Sequence, residues 1–558
     1  MGDFASFAAS HAWTLSSQPL YVCRLHKNIV QRAGLPSDRA SDLLLERTFF
    51  PATLGALIEQ RLPYVLDTSM SVIDHSQCES IILRGDSAGH DLLYVYCSKA
   101  MLLSSSRPDI LLEEVRKRRA TLSIDRFAVG QILCSGLVPM PASAFAEIHV
   151  LGIGDMLDCR KKANGWHLEH AVVFPYFAHL SKQDQEPNAK RLMDLLTDSV
   201  NGRLGSHDSA ILMLSAGKDS VALAVALARL ERKDVRCLTF VANTEMDEDG
   251  YAHRLCQQLG LVHERIEIPV QQKMDTDILT NYFRYAPFPC VDDCQIPYIY
   301  ALHAAGPVDA VLDGSGNDVY MGHVPSYNDR RREKLRLRNH ALARWLELVV
   351  PYSTRLDQLL RDPVDHCFLQ GLLRQRELAD ILPTIDSKSD WKRPLLEAYE
   401  KLDVFDFRAF VRGRHYDQGS CALKAFMACL SAGSQCLLPW CDSDIVDFYF
   451  HLPESSRFDR DSYKNKVLLR NMLHAEIDYP DAELGKRYFQ FDRVAFYMTN
   501  RKRVEDEILG CPLWERLAAE TLLRQMYHRL PRNPRVGVAL NAWFLLSGWL
   551  NHNRYLHG

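Results

Sequence analysis

The chain reads as an α/β protein in two parts, and three observations say so. An apolar run, Ala210-Ile211-Leu212-Met213-Leu214, enters a short polar turn, Ser215-Ala216-Gly217-Lys218-Asp219-Ser220, and leaves it as the helical run Val221 to Leu227. Further alternations of strand and helix follow, as a parallel sheet requires. Before about residue 190 the texture differs: short alternating strands and turns punctuated by Gly and Pro predict a mostly antiparallel layer.

In order along the chain, Ser80 to Leu83 and Leu92 to Cys97 are strands of that first layer. Ser181 to Asn188, polar and broken by Pro187, reads as a linker, so residues 1–185 form one domain and residues 190–558 another. A chain of 558 residues exceeds what one core usually serves, which requires at least two domains. After the turn at 215–220, Val235 to Val241 is a strand. Asp247 to Leu259 has apolar residues at helical spacing and stops at Gly260. Val262 to Val270 returns as a strand, and Val308 to Leu312 is a fourth, running straight into Asp313-Gly314-Ser315-Gly316-Asn317-Asp318. Residues from about 328 to 558 read as mainly helical.

The first turn is built to hold an anion. Gly217 lets backbone come close, and the unpaired N–H groups at the helix start point at whatever sits there. A Walker A loop requires a Gly five positions before its Gly-Lys pair and Ser or Thr after the Lys, and here Leu212 and Asp219 occupy those places. In an open α/β sheet ligands lie beyond the carboxyl ends of the strands, so the second glycine turn faces the first across one site.

Composition excludes several classes. With 47% hydrophobic and 24% charged residues the chain is an ordinary globular protein, and a net charge of −4 gives no general pull towards nucleic acid or anionic membrane. No apolar run is long enough to span a bilayer, and the opening residues lack the regions of a signal peptide, so a cytoplasmic location is expected. The 15 cysteines include no Cys-x-x-Cys, and neither Cys290 with Cys294 nor Cys436 with Cys441 has a second pair at ligand spacing. The basic run Arg330 to Arg338 reads as a solvated helix face.

Taken together, these segments resemble the asparagine synthetase family. Ser215 to Ser220 is similar to the SGGxDS signature of PP-loop ATP pyrophosphatases, with Ala216 for the first Gly. Leu312 to His323 keeps the spacing of the family's LSGxGxDExFGG segment. Met246-Asp247-Glu248, Tyr251-Ala252 and His263 resemble its FDE…YA…H segment, and Leu438-Pro439-Trp440-Cys441-Asp442 its RxPFLD segment, with Lys464, Lys466 and Leu469-Arg470 following. Arg84-Gly85-Asp86, Leu92 to Tyr96 and Gly136 to Phe145 are similar to the glutaminase half. The resemblance implies a degenerate Ntn-hydrolase-like αββα domain followed by a PP-loop (adenine nucleotide α-hydrolase-like) synthetase domain with a helical C-terminal part. It implies ATP and Mg²⁺ as cofactors, with Asp219 and Asp318 holding the metal and Ser215, Gly217, Lys218, Asp219, Ser220, Val241 and Gly314 the nucleotide. Lys486, in Gly485-Lys486-Arg487, matches the late lysine that stabilises amide formation in β-lactam synthetases.

Two departures shape the expected function. Glutaminases of this family use a cysteine at position 2, where this chain has Gly2, and Cys23 is its first cysteine, so ammonia from glutamine is not expected. Ser315 stands where asparagine synthetases have Glu and β-lactam synthetases Tyr, and a serine is a poor base without help. Val319 replaces an acid, while Gln435 and Leu437 replace the Glu and Arg of the RxPFLD segment. The implied activity is an ATP-dependent, AMP-forming amide ligase that adenylates a small-molecule or peptide carboxylate and joins it to an amine. A macrolactam of lasso type or a β-lactam is the specific expectation, with a precursor peptide or carrier protein as partner and a homodimer left open. Amidation with free ammonia, action on transfer RNA, and a non-catalytic nucleotide-binding scaffold are the alternatives.

Overall fold

In a computed structural model of the chain, the structure describes residues 13–14, 72–86, 88–174, 176, 185–205, 207–241, 248–268, 270–271, 273–335, 346, 350–369, 371–383, 391–477, 479–480 and 491–556. The chain forms two compact units, Met1–Asp125 with Pro139–Gln183, and Arg126–Val138 with Asp184–Gly558.

The first unit is antiparallel. Strands β1 (Trp13–Thr14), β3 (Ser80–Arg84), β7 (Asp155–Lys162) and β8 (Gly165–Val172) make one sheet in the order β1-β8-β7-β3. Strands β2 (Ile73–Asp74), β4 (Leu93–Cys97), β5 (Leu102–Ser105) and β6 (Ile148–Leu151) make a second in the order β2-β5-β4-β6. Ile81, Leu83, Leu157 and Cys159 from one sheet and Leu93, Val95, Leu102 and Leu151 from the other share one core. Helix α1 (Pro108–Lys117) buries Leu111, Leu112 and Val115, a stripe at helical spacing, and contacts β4 and β5. These are the two sheets and one of the helical layers of an αββα arrangement.

The segment Arg126–Val138 clusters with the second unit. Its helix α2 (Arg126–Ser135) is tied there by Leu133 O, which accepts from Leu373 N (2.9 Å), and by Gln131 Oε1, which accepts from Gln375 (3.2 Å) and Trp391 (3.3 Å). Ala128 to Ser135 of this helix are all buried, whereas α1 buries one stripe.

The second unit is organised by a parallel sheet of five strands, β9 (Ala210–Met213), β10 (Arg236–Val241), β11 (Val262–Glu267), β12 (Ala310–Leu312) and β13 (Gln435–Leu437), in the order β11-β10-β9-β12-β13. Strands β9 and β12 are buried along their length, as a sheet covered on both faces demands. The fifth strand is a finding beyond the sequence reading: Gln-Cys-Leu is too short to show a period in a region that otherwise reads as helix. The chain leaves β9 for β10 and β11 on one side and returns to β12 on the other, so the sheet reverses order between β9 and β12. Helix α3 (Ala189–Leu204), capped by Asn188, lies against α4 (Lys218–Arg229), whose residues Ser220 to Leu227 are all buried. Helix α5 (Glu248–Leu259) and α6 (Thr276–Tyr285) continue the alternation, followed by α7 (Gln295–Ala305). A long apolar helix, Val536–His552, fills the centre of the helical part. Among the described residues no helix is long and apolar enough to cross a membrane.

Candidate active site

Strands β9 and β12 pair in register, Ala210 with Ala310, Ile211 with Val311 and Leu212 with Leu312. Both chains therefore leave the sheet side by side at the switch point, the place where open α/β sheets form a crevice. The glycine turns that follow touch. A Cβ on Gly314 would lie 2.9 Å from Ser220 N and 3.2 Å from Asp219 C, so only glycine lets the second turn rest on the start of α4.

The first turn is closed by its own side chains. Ser220 Oγ lies 2.9 Å from Ser215 Oγ and accepts from Ser215 N (3.1 Å), while Gly217 N donates to Ser215 Oγ (3.1 Å). Gly217 is the N-cap of α4 and makes no side-chain cap bond. Two aromatic residues hold its carbonyls: Tyr479 Oη donates to Ala216 O (2.6 Å) and Trp440 Nε1 to Asp219 O (3.1 Å). Lys218 Nζ lies 6.0 Å from the centre of the Tyr479 ring. Val241 closes β10 and is buried.

Asp219 does not cap its helix. Its carboxylate turns across to the second turn, where Oδ1 accepts from Asn317 Nδ2 (2.6 Å). Lys466 Nζ donates to Asp219 Oδ1 (2.8 Å) and Oδ2 (2.7 Å) and to Asn317 Oδ1 (2.8 Å), and lies 2.9 Å from Asp318 Oδ1. The two acids predicted to share one metal thus share one ammonium. Their side chains are 30% and 50% exposed, against 5% for that of Lys466, so the cation lies beneath carboxylates that reach towards solvent. Burial alone would depress the Lys466 pKa, but Asp219 and Asp318 hold it above the ordinary lysine value.

The second turn has a polar backing that the sequence reading missed. Asp313 Oδ1 accepts from Ser315 N (2.9 Å) and Ser315 Oγ (2.5 Å), and Oδ2 accepts from Tyr298 Oη (3.1 Å). Burial first and the Asp313 charge second keep the Tyr298 hydroxyl protonated. Lys424 Nζ lies 5.4 Å from the Tyr298 ring centre. Burial pulls its pKa down, and Asp292 and Asp313 more than reverse this. Lys424 follows a π-helix, Arg412–Ala422, a rare element whose wide turns bury Arg414, His415 and Asp417. His323 Nε2, just past the second turn, lies 2.8 Å from Asp417 Oδ2. Gln435 is exposed at the start of β13, and Leu437 is buried within it.

Not every expected residue lies in this site. Lys486, Gly2 and Cys23 fall outside the described residues, as does the first half of the expected linker, residues 181–184. The solvated face expected at 330–338 is corrected at Arg330, whose guanidinium lies 3.7 Å from the Tyr463 ring centre with a buried Nε; Arg331 and Lys334 are exposed. Lys466 was legible only as one letter of a family pattern, because its role depends on a contact across 247 positions.

The site sets a glycine turn at a helix N-terminus beside two hard oxygen donors. Mg²⁺ suits such donors, since it is usually held by one or two carboxylates together with substrate phosphates and water. Among the described residues no group of three or more His, Cys, Asp or Glu converges to bind a metal unaided.

No curated protein sequence matches the chain significantly. A solved structure of an NH3-dependent NAD synthetase from Campylobacter jejuni is similar at 16% identity over 41% of this chain and 93% of its own, with a TM-score of 0.19, a likeness too slight to bear on the site. The model of the asparagine synthase family matches residues 191–508, which contain both glycine turns, β13 and Lys466. The chain belongs to the asparagine synthase family, and so to the ATP-dependent amide ligases of asparagine synthetase type.

Proposed function

We propose that the chain activates a substrate carboxylate as its acyl-adenylate, releasing pyrophosphate, and passes the acyl group to an amine with release of AMP. The observation that carries this reading is the meeting of the two glycine turns at the switch point, with Gly314 against Ser220 N and Asp219 and Asp318 joined through Lys466. The N-terminus of α4 at Gly217 would receive the phosphates, with Ser215, Lys218 and Ser220 beside them. Asp219 and Asp318 would hold Mg²⁺, which when bound would neutralise charge on the leaving pyrophosphate. Adenylation otherwise needs little from the protein beyond alignment of the carboxylate with the α-phosphorus.

Amide formation needs a proton acceptor for the attacking amine. Ser315 alone is too weak, but the Asp313 carboxylate behind it supplies the help a serine lacks. The proton would leave the amine for the Ser315 oxygen while the Ser315 proton passes to Asp313. For the amine itself we favour one carried by an amino-acid or peptide substrate, as in macrolactam or β-lactam closure. The test is exchange of labelled pyrophosphate into ATP with Mg²⁺ and pools of amino acids, peptides and other carboxylates. Exchange that requires an acid and disappears in Asp318→Ala supports adenylation; failure of Mg-ATP to bind at all overturns it.

A further inference from the structure

Lys466 is unusual in backbone as well as side chain. Its φ of 56° is left-handed, a conformation non-glycine residues rarely take, and it sits at the corner between strand Lys464–Asn465 and helix Val467–Ile477. Arg470 fixes that corner, donating through Nε to Asn465 O (2.7 Å). The strained corner aims the ammonium under the two turns, where its three donors meet Asp219, Asn317 and Asp318. Without a cation between them, two carboxylates on facing turns would repel and would attract a hard divalent ion. With the ammonium in place most of that attraction is already spent.

We propose that Lys466 is a resident counter-ion that stands in for the divalent metal in the nucleotide-free chain, so that metal is taken up only together with nucleotide phosphates. This rests on the nucleotide reading of the site and deepens it. The phosphates bring the extra anionic oxygens that the Asp219–Asp318 pair, neutralised from below, does not offer. Lys466 is on this view a positioning residue: it presets the spacing of the two carboxylates and imposes an order of binding.

The experiment is a titration of the full chain with Mn²⁺, following free Mn²⁺ by electron paramagnetic resonance, with and without α,β-methylene-ATP and corrected by a protein-free blank, because the analogue itself chelates Mn²⁺. Binding of the analogue is followed separately by calorimetry. The wild type should bind Mn²⁺ roughly a hundredfold more tightly with the analogue than without it, and K466Q should gain about tenfold in Mn²⁺ affinity without nucleotide. That gain should vanish in the double variant K466Q/D318N. Equal Mn²⁺ affinity of the wild type with and without the analogue would overturn the proposal, as would a folded K466Q that gains nothing. Should K466Q fail to fold, shown by loss of its thermal transition, the two wild-type titrations decide alone. Analogue that binds without bringing Mn²⁺ overturns the counter-ion proposal and leaves the nucleotide reading standing. Analogue that does not bind overturns both.

Discussion

The two glycine turns leave neighbouring strands in register, yet they are held in opposite ways. The first is closed from within by Ser215 and Ser220, while outside residues take its backbone carbonyls, through Tyr479 and Trp440, and its Asp219 carboxylate, through Asn317 and Lys466. The second is closed from within at one place, where Asp313 accepts from Ser315, and otherwise depends on distant partners: Asp313 N donates to Leu437 O (3.0 Å), Tyr298 binds the Asp313 carboxylate, and Asn317 reaches Asp219. A turn closed by its own side chains constrains its own letters. One closed by others constrains only spacing and leaves letters free to change with the partners. The first signature departs from its family at Ala216 alone, whereas the second keeps its spacing while Ser315 and Val319 depart.

The sharpest test of whether both turns serve one nucleotide is to remove one carboxylate from each. Asp219→Ala and Asp318→Ala should each lower ATP-dependent turnover by roughly a hundred- to a thousandfold, the scale of losing one fixed stabilising group. The two losses should be far from additive, since both acids act through a shared cation. A double variant that loses the product of the two would separate the turns into independent sites.

Glycine substitutions test the asymmetry of support. In the second turn Gly316 has φ 107°, and a Cβ there would lie 2.1 Å from Cys441 Sγ. Gly316→Ala should therefore cost about 2–4 kcal/mol, combining backbone strain with overpacking. Gly314→Ala pushes against the backbone of Ser220 and Asp219 and should cost about 1–3 kcal/mol. In the first turn Gly217 has φ −73°, and its Cβ would meet only Ser215 Oγ at 3.0 Å, so Gly217→Ala should cost less than about 1 kcal/mol. Urea unfolding of the three variants measures the series. A larger loss at Gly217 than at Gly316 would reverse the comparison.

The same asymmetry separates what was legible in the sequence from what was not. Four of the five strands of the parallel sheet could be read, three as apolar runs bounded by turn residues and Val262–Glu267 from its place after a helix stopped at Gly260, and their ends fell within a few positions of those observed. The fifth, Gln435–Leu437, carries three residues and no period. The residues of both turns were found because their chemistry is local in sequence. Lys466, Tyr298 and Lys424 come to the site from helices and corners elsewhere, and a lysine or tyrosine there looks like any other until the fold brings it to a carboxylate. Asp313 was in view but was read only as a turn residue; its distinction lies in what it accepts.

The two serines carry the comparison to its smallest effect and set stability against chemistry. Ser220 is buried, and Ser220→Ala leaves the Ser215 amide and the Ser215 hydroxyl without the oxygen they share. Ser215 itself is exposed, so water replaces part of the lost bonding and the cost should be about 0.5–1.5 kcal/mol, which a shift in unfolding midpoint should show. Ser315→Ala removes a hydroxyl from a carboxylate that keeps the Ser315 amide and Tyr298 as donors, so its stability cost should stay below about 1 kcal/mol. In turnover the order reverses for one step alone. Ser315→Ala should retain pyrophosphate exchange, because adenylation moves no proton through Ser315, and should lose amide formation by roughly a hundredfold or more, the usual worth of a placed base. Rapid-quench measurement of the two half-reactions separates these effects. Loss of exchange in Ser315→Ala would place the serine with the nucleotide, and the internally closed first turn would no longer be the only turn that serves the phosphates through its side chains.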